Sequence, residues 1–538
     1  MTDRKRVCII GSGASGLTSM KACLDEGMLP VCYERADYIG GLWQYNPTQH
    51  DRACVYKSTV INTSKEMMCF SDFPAPKEFA NFMHNSKIIQ YFNMYAKEFG
   101  LTEHIVFNTE VISCDPCSDH DETGRWRVRI KDVNNNDIRE EIFDGVMVCI
   151  GHHAIPNFKK EEFAGLEEFH GEYMHSHDYR TPERFYDKNV MIVGLGNSAG
   201  DIAVETSRVA NQAYLSTRRG AWILNRVSKG GMPIDIVYTN RFNSNLVFKT
   251  LPKALMPLVD TWLENTACGR FNHETYGLKP KHRFTSQHAT VNDDLPNRIL
   301  NGSIQVKGDI RKFTKDSVIF EDGHEAKIDV VFFCTGYKYS FPFLDESIVP
   351  VTKNQNNLFK YMWPTDLKRN TLAVIGLIQP TGAVNPISEI QARWAARVIK
   401  GVQDLPSRST MKEDIAVTAK NMKERFYKSE RHTIQVDYVP FMDDIASQFG
   451  AVPNIKELIK KDVLLAWKVL FGPATPYQYR LNGPGSNFEQ ARKNINNQMN
   501  NVLYPLVSTR IIQNDGFQLI QIAAMFTLFI LFYFVFLG

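Results

Sequence analysis

Short, unbroken apolar runs that end in glycine recur along this chain, and helical spacing follows several of them. Arg6 to Ile10 is the first such run. An uninterrupted run of this length predicts a strand buried on both faces, as in a parallel sheet. Leu17, Met20 and Leu24 then recur at helical spacing, and Gly27 is placed to stop that helix. Pro30 to Tyr33 reads as the next strand. Asn189 to Val193 repeats the opening run. Asp144 to Gly151 and Asp329 to Gly336 resemble one another, each a buried strand closed by glycine, and they bracket that second copy. Strands alternating with helices predict an α/β fold with parallel sheets. The bracketing predicts one domain inserted within another. Ile387, Ile390, Trp394 and Val398 mark a later helix, with Asn385 as its N-cap and Pro386 at its first position. Residues 228–300 are punctuated by Pro and Asn without a repeat and read as an insertion.

The far end differs in kind. From Gly516 to Gly538 no side chain is charged. Phe517 to Gly538 would make a helix about 33 Å long, enough to span a hydrocarbon core. A core helix usually keeps a polar face, which favours a tail anchor over a buried helix. The N-terminus is charged and runs straight into the first strand, with no apolar leader ahead of it.

At 538 residues the chain holds three or four domain equivalents. Hydrophobic residues at 43% and charged residues at 22% exclude a disordered chain and a multi-span membrane protein. A net charge of +3 gives no electrostatic case for nucleic-acid binding. Ten cysteines in this length do not read as a disulfide framework. Cys114 and Cys117 are the one C-x-x-C pair, set in a polar stretch away from either glycine turn, and read as incidental thiols.

The glycines carry the chemistry. Gly11, Gly13 and Gly16 form G-x-G-x-x-G between the first strand and its helix. They permit a tight turn and close approach to a pyrophosphate at the helix N-terminus. Glu34, ending the second strand, is placed to accept from ribose hydroxyls. The alternative is a glycine turn that only packs helix on sheet. The second copy is Gly194, Gly196, Asn197, Ser198 and Ala199. Here the equivalent of Glu34 is Thr217, followed by Arg218 and Arg219. Guanidinium groups suit a 2′-phosphate, which a carboxylate would repel. The first site therefore reads as one for an adenine dinucleotide without that phosphate and the second as one for NADP, unless the arginine pair is only a solvated surface. Two such sites imply hydride transfer to a flavin. If the helix near Asn385 aims its N-terminus at the flavin, it would stabilise the reduced ring. A disulfide, a protein carrier or oxygen could accept the electrons next.

Phe169, Gly171, His175 and Tyr179 fit F-x-G-x-x-x-H-x-x-x-[YF] between the two glycine turns. With Gly40, Leu42 and Trp43, and with Asn62 and Thr63 opening a segment that runs to Phe70, the chain resembles the flavin-containing monooxygenases, chiefly the animal microsomal type. The resemblance implies two Rossmann-like domains, the NADPH domain inserted in the FAD domain, plus a C-terminal transmembrane helix. The boundaries expected are 1–155 and 332–445 for FAD, 156–331 for NADPH, 446–515 for a membrane-proximal region and 516–538 for the anchor. It implies a C4a-hydroperoxyflavin attacked by an amine or sulfide, with Asn62 beside it and NADP⁺ retained. It implies an endoplasmic reticulum membrane, a cytosolic catalytic part and small xenobiotic or metabolic substrates. Asn62 and Asn301, both in glycosylation sequons, would then stay bare. Ketone insertion, an NADPH oxidase and a non-catalytic tethered NADPH-binding module remain alternatives, and a homo-oligomer stays open.

Overall fold

Two five-stranded, all-parallel sheets organise the chain, each built around one glycine turn. In the first, the strand order is Leu372–Val374, Gly145–Val148, Arg6–Ile10, Leu29–Tyr33, Ile105–Val106. In the second it is Ile304–Lys307, Gln212–Ser216, Asn189–Val193, Val330–Phe333, Glu172–His175. These come from a computed structural model that describes residues 4–153, 155–228, 230–427 and 433–506. The apolar stretch 516–538 lies outside the described residues. Among the described residues no helix is long and apolar enough to cross a membrane.

The two look-alike segments occupy equivalent places. Gly145–Val148 pairs with Arg6–Ile10, and Val330–Phe333 pairs with Asn189–Val193. Both are buried throughout, which is why neither shows polar alternation. Every strand of the second sheet falls between the Gly145–Val148 and Leu372–Val374 strands of the first. The chain leaves and returns side by side, because Ile155–Pro156 pairs antiparallel with Tyr337–Lys338. The expected boundary at 331/332 falls inside the strand Val330–Phe333, which stays in the second sheet.

The helix Ala14–Asp25 packs along Val384–Lys400, which is buried over most of its length. Ile387, Ile390, Trp394 and Val398 lie on it as the spacing predicts. Its start differs. Ala383 occupies the cap in extended conformation, and Asn385 is the second helical residue, so its side chain does not cap the helix. Pro386 still falls in the first turn, where its missing N–H leaves no intrahelical bond unmade. Residues 228–300 form short helices, including Ile234–Tyr238, Arg241–Asn245 and Met256–Cys268, and a two-residue strand, Thr290–Val291, that pairs with Ile223–Leu224.

The C-terminal segment is stitched back under the first sheet through buried charge. Arg480 is 5% exposed. Its Nη2 donates to Asp72 Oδ2 and Glu389 Oε1, both at 2.7 Å, and its Nε donates to Ser71 Oγ at 2.6 Å. Glu389 Oε2 also accepts from the Ser71 amide at 2.6 Å. Against the cost of burial, Arg480 and then Lys21 hold the Asp72 carboxyl below its ordinary range. Removing one partner of such a cluster leaves charge buried and uncompensated. Glu389→Ala should therefore cost about 3 kcal/mol, read as a lower chemical-denaturation midpoint. An unchanged midpoint would mean that the cluster does not secure the C-terminal segment.

Candidate functional site

At the first turn, backbone crowds backbone. A Cβ on Gly11 would sit 2.9 Å from Cys149 O, and one on Gly16 would sit 1.9 Å from Gly11 O. Gly13 lies against Gly41, 3.7 Å from the position of its would-be Cβ to Gly41 Cα. No side chain caps the helix that starts at Ala14. Its first N–H groups thus line a cradle without side chains, which fits a pyrophosphate. Gly40 N donates to Ser12 O at 3.1 Å, folding the Gly41–Trp43 turn over the glycines. Leu42 and Trp43 are half-buried there.

Glu34 stands at the strand end that its spacing predicts, but its carboxylate is engaged. Oε2 accepts from Ser12 N at 2.8 Å and Ser12 Oγ at 2.9 Å, and Oε1 accepts from Ala36 N at 2.9 Å. It therefore braces the glycine turn while retaining unused lone pairs. Ser15 Oγ and Ser388 Oγ lie 3.1 Å apart and join the starts of helices Ala14–Asp25 and Val384–Lys400. Asn385 is 5% exposed, and its Nδ2 has no hydrogen-bond partner. A buried orphan donor beside two helix starts fits a polar ring edge such as a flavin's.

The second turn repeats the first. A Cβ on Gly194 would sit 2.7 Å from Cys334 O, and the Gly194 φ is +114°. The helix Asn197–Thr206 begins after Gly196 without a side-chain cap, and Ala199 is fully buried against its sheet. Asn197 Oδ1 accepts from Val291 N at 2.8 Å. Ser198 lies half-buried in the first turn of that helix. A cleft of about 270 Å³ opens at the carboxyl ends of these strands, lined by Gly194, Ser216, Arg218, Cys334, Thr335 and Lys159 among others. That is where a doubly wound sheet binds its ligand. Thr217 Oγ1 accepts from Gly220 N at 3.0 Å and shapes the turn.

The arginine pair divides. Arg218 faces the cleft, with its side chain 63% exposed and its Nε 3.9 Å from Asp309 Oδ2. Arg219 turns away and stacks 4.3 Å over the Tyr427 ring. Adjacent residues leaving a strand point in opposite directions, so one of two neighbouring arginines reaches the cleft.

Asn62 and Thr63 sit in a loop that belongs to the first half of the chain but is held by the second. Arg226 Nη2 donates to Asn62 Oδ1 at 2.7 Å. Asp235 Oδ2 accepts from Ser64 N at 2.6 Å. Upstream, the Tyr56 hydroxyl donates to Asp201 and Ser58 donates to Glu205, both on the helix Asn197–Thr206. Burial pushes the carboxyls of Asp201 and Asp235 up to about 6. Tyr179 joins this seam: its hydroxyl donates to Glu205 Oε2 at 2.6 Å, and its ring meets Tyr56 edge-on at 5.6 Å. His175 ends the edge strand Glu172–His175, and burial holds its imidazole down to about 4, so it stays neutral. The signature Phe169-x-Gly171 is a packing pair, because a Cβ on Gly171 would strike the Phe169 ring and Asp329 O. Cys114 is buried, Cys117 is half-buried, and both are free, with burial raising each thiol. Arg226, Asp235, Asp201 and Lys159 carry no motif. A buried acid or base flanking the insertion was the one signal available for the first two.

Comparison with known proteins identifies the family. The family model described as flavin-binding monooxygenase-like matches residues 4–538. Flavin-containing monooxygenase 5 of Rattus norvegicus is 50% identical over 516 residues, covering 95% of each chain. Dimethylaniline monooxygenase [N-oxide-forming] 2 of Macaca mulatta is 44% identical over 514 residues, again covering 95% of each. Among solved structures, S-allyl-L-cysteine S-oxygenase from Allium sativum is 25% identical with a TM-score of 0.63, covering 92% of this chain and 99% of its own.

The divided arginine pair gives a test. Arg218→Ala should raise the KM for NADPH about tenfold while leaving that for NADH nearly unchanged. Arg219→Ala should leave both KM values nearly unchanged. Equal losses for the two nucleotides would remove Arg218 from any contact with a 2′-phosphate.

Proposed function

Because the chain belongs to the flavin-binding monooxygenase-like family and is an FAD- and NADPH-dependent monooxygenase, we propose that it oxygenates the nitrogen or sulfur lone pair of small molecules. FAD, reduced by NADPH, supplies the activation of oxygen. In this reading Gly11, Gly13 and Gly16 seat the FAD pyrophosphate, while Glu34 braces their turn and offers its free lone pairs to the ribose. Gly40, Leu42 and Trp43 cover that nucleotide, and Asn62 and Thr63 face the reactive ring. Gly194, Gly196 and Ala199 shape the NADPH turn, Asn197 and Ser198 open its helix, and Thr217 and Arg218 receive the 2′-phosphate. Arg219, stacked on Tyr427, takes no part there.

The observation that carries the reading is the position of the Asn62 loop, braced against the helix of the second glycine turn by Tyr56 and Ser58. The substrate class follows from the names of two relatives, one an N-oxide-forming enzyme and the other an S-oxygenase. A lone pair on nitrogen or sulfur is itself the nucleophile, so the site needs no strong general base. Its task is to hold substrate and oxygen together and to exclude water. We place the FAD-binding parts at 1–155 and after the return strand Tyr337–Lys338, with the NADPH-binding part between them. We also propose that 516–538 anchors the chain in the endoplasmic reticulum membrane with its catalytic part in the cytosol, on the strength of that charge-free stretch.

With purified protein, NADPH and oxygen, N,N-dimethylaniline and S-allyl-L-cysteine should be oxygenated in step with NADPH consumption. Asn62→Ala should keep its flavin and lose product about a hundredfold. Hydrogen peroxide matching NADPH, with no product from amines, sulfides or ketones, would make the protein an oxidase instead. Bound nucleotide without turnover would make it a binding module. Deleting 517–538 should move the protein from the membrane pellet to the soluble fraction with its FAD retained. A truncated protein that still pellets with its flavin would remove the anchor role.

A further inference from the structure

Asn62 is the only residue given a direct part in the chemistry, and its amide has two unlike ends. Oδ1 can only accept and Nδ2 can only donate. Which end faces the reaction decides what the residue can stabilise. Arg226 settles this. A guanidinium carries donors and no acceptor, so it binds the oxygen end alone. Its Nη2 takes Asn62 Oδ1 at 2.7 Å. Arg226 is itself fixed: Nη1 donates to Asp293 Oδ2 at 2.7 Å, and its backbone N–H donates to Asp293 Oδ1 at 2.8 Å. Nη2 and Nε also reach the carbonyls of Val60 and Ile61, at 3.4 Å each. Its side chain is 14% exposed, so water competes weakly.

We propose that Arg226 is a positioning residue that locks the Asn62 amide with its N–H₂ end toward the reaction, making Asn62 a donor and not an acceptor there. The proposal rests on the reading that Asn62 belongs to the site. Turning the amide over would set its hydrogens against the guanidinium and lose a charge-assisted bond. A donor oriented in advance stabilises an electron-rich oxygen without reorganising. Apart from the two long Arg226 contacts to Val60 and Ile61, the loop has holds of its own. Tyr56, Ser58 and the Ser64 amide keep their own anchors on Asp201, Glu205 and Asp235. Losing Arg226 therefore frees the amide while the loop stays in place.

The test uses the full-length holoenzyme and measures product and hydrogen peroxide per NADPH, alongside flavin content. Arg226→Ala should retain FAD, form about tenfold less product per NADPH and release the difference as hydrogen peroxide. Added guanidinium chloride at low millimolar concentration should restore part of the coupling, which no purely structural defect would allow. Arg226→Lys should recover less, because one ammonium cannot hold both Asp293 and Asn62 in a fixed fork. Asp293→Asn, which loosens Arg226 without removing it, should uncouple mildly. In an Asn62→Ala background, Arg226→Ala should add no further loss. Normal coupling in Arg226→Ala beside an uncoupled Asn62→Ala would overturn the inference and leave the role of Asn62 intact. A further tenfold loss in the double variant would likewise overturn it, since Arg226 would then act by another route. Normal coupling in Asn62→Ala would overturn both.

Discussion

At the first glycine of each turn, a carbonyl oxygen from the neighbouring strand's end occupies the place where a side chain would otherwise stand. Cys149 O presses on Gly11 and Cys334 O presses on Gly194, each too close for any Cβ. The pressure follows from parallel geometry. The strand beside each fingerprint strand ends at the same level as the turn, and its last carbonyls point across it. Glycine is the residue that accepts both that approach and the left-handed backbone. Once the turn is fixed, the helix behind it starts directly over the strand ends, with its first N–H groups free. The two glycine turns are consequences of one contact made at two places.

The Asn62 loop depends on the second of those places more than on the first. Its side-chain anchors are Asp201, Glu205, Arg226 and Asp235, all carried by the segment that interrupts the first sheet. The loop itself precedes those anchors by well over a hundred residues. A change in the seat of the second sheet would be felt at Asn62 through hydrogen bonds before it was felt through the core. This gives physical content to a reaction that needs two nucleotides at once.

What could be read ahead of the structure was whatever is local. Apolar runs ending in glycine gave both central strands, and the spacing of Ile387, Ile390, Trp394 and Val398 gave the long helix. Its exact start was not legible, because the cap position is taken by Ala383, a residue with no capping side chain. Glu34 was found by spacing, yet its engagement with Ser12 and Ala36 depends on how the turn closes. Arg218 and Arg219 looked equivalent because a sequence carries no direction for a side chain. Tyr427, which draws Arg219 away, lies more than two hundred residues on. Asn62 was reached only through family resemblance, and Arg226 not at all, since nothing in the surrounding residues signals a contact across 164 positions.

The side-by-side strands Ile155–Pro156 and Tyr337–Lys338 also set an order of assembly on the ribosome. Everything the second sheet needs is contiguous and has been made by the time Phe333 emerges. The first sheet, though begun at Arg6, lacks its edge strand until Leu372 and the partner of its first helix until Val384. At about 5–20 residues per second, Gly145–Val148 waits roughly 11–45 seconds for the Leu372–Val374 strand at its open side. The later-made sheet is thus complete first, while the earlier one keeps the edge beside Gly145–Val148 open through that interval.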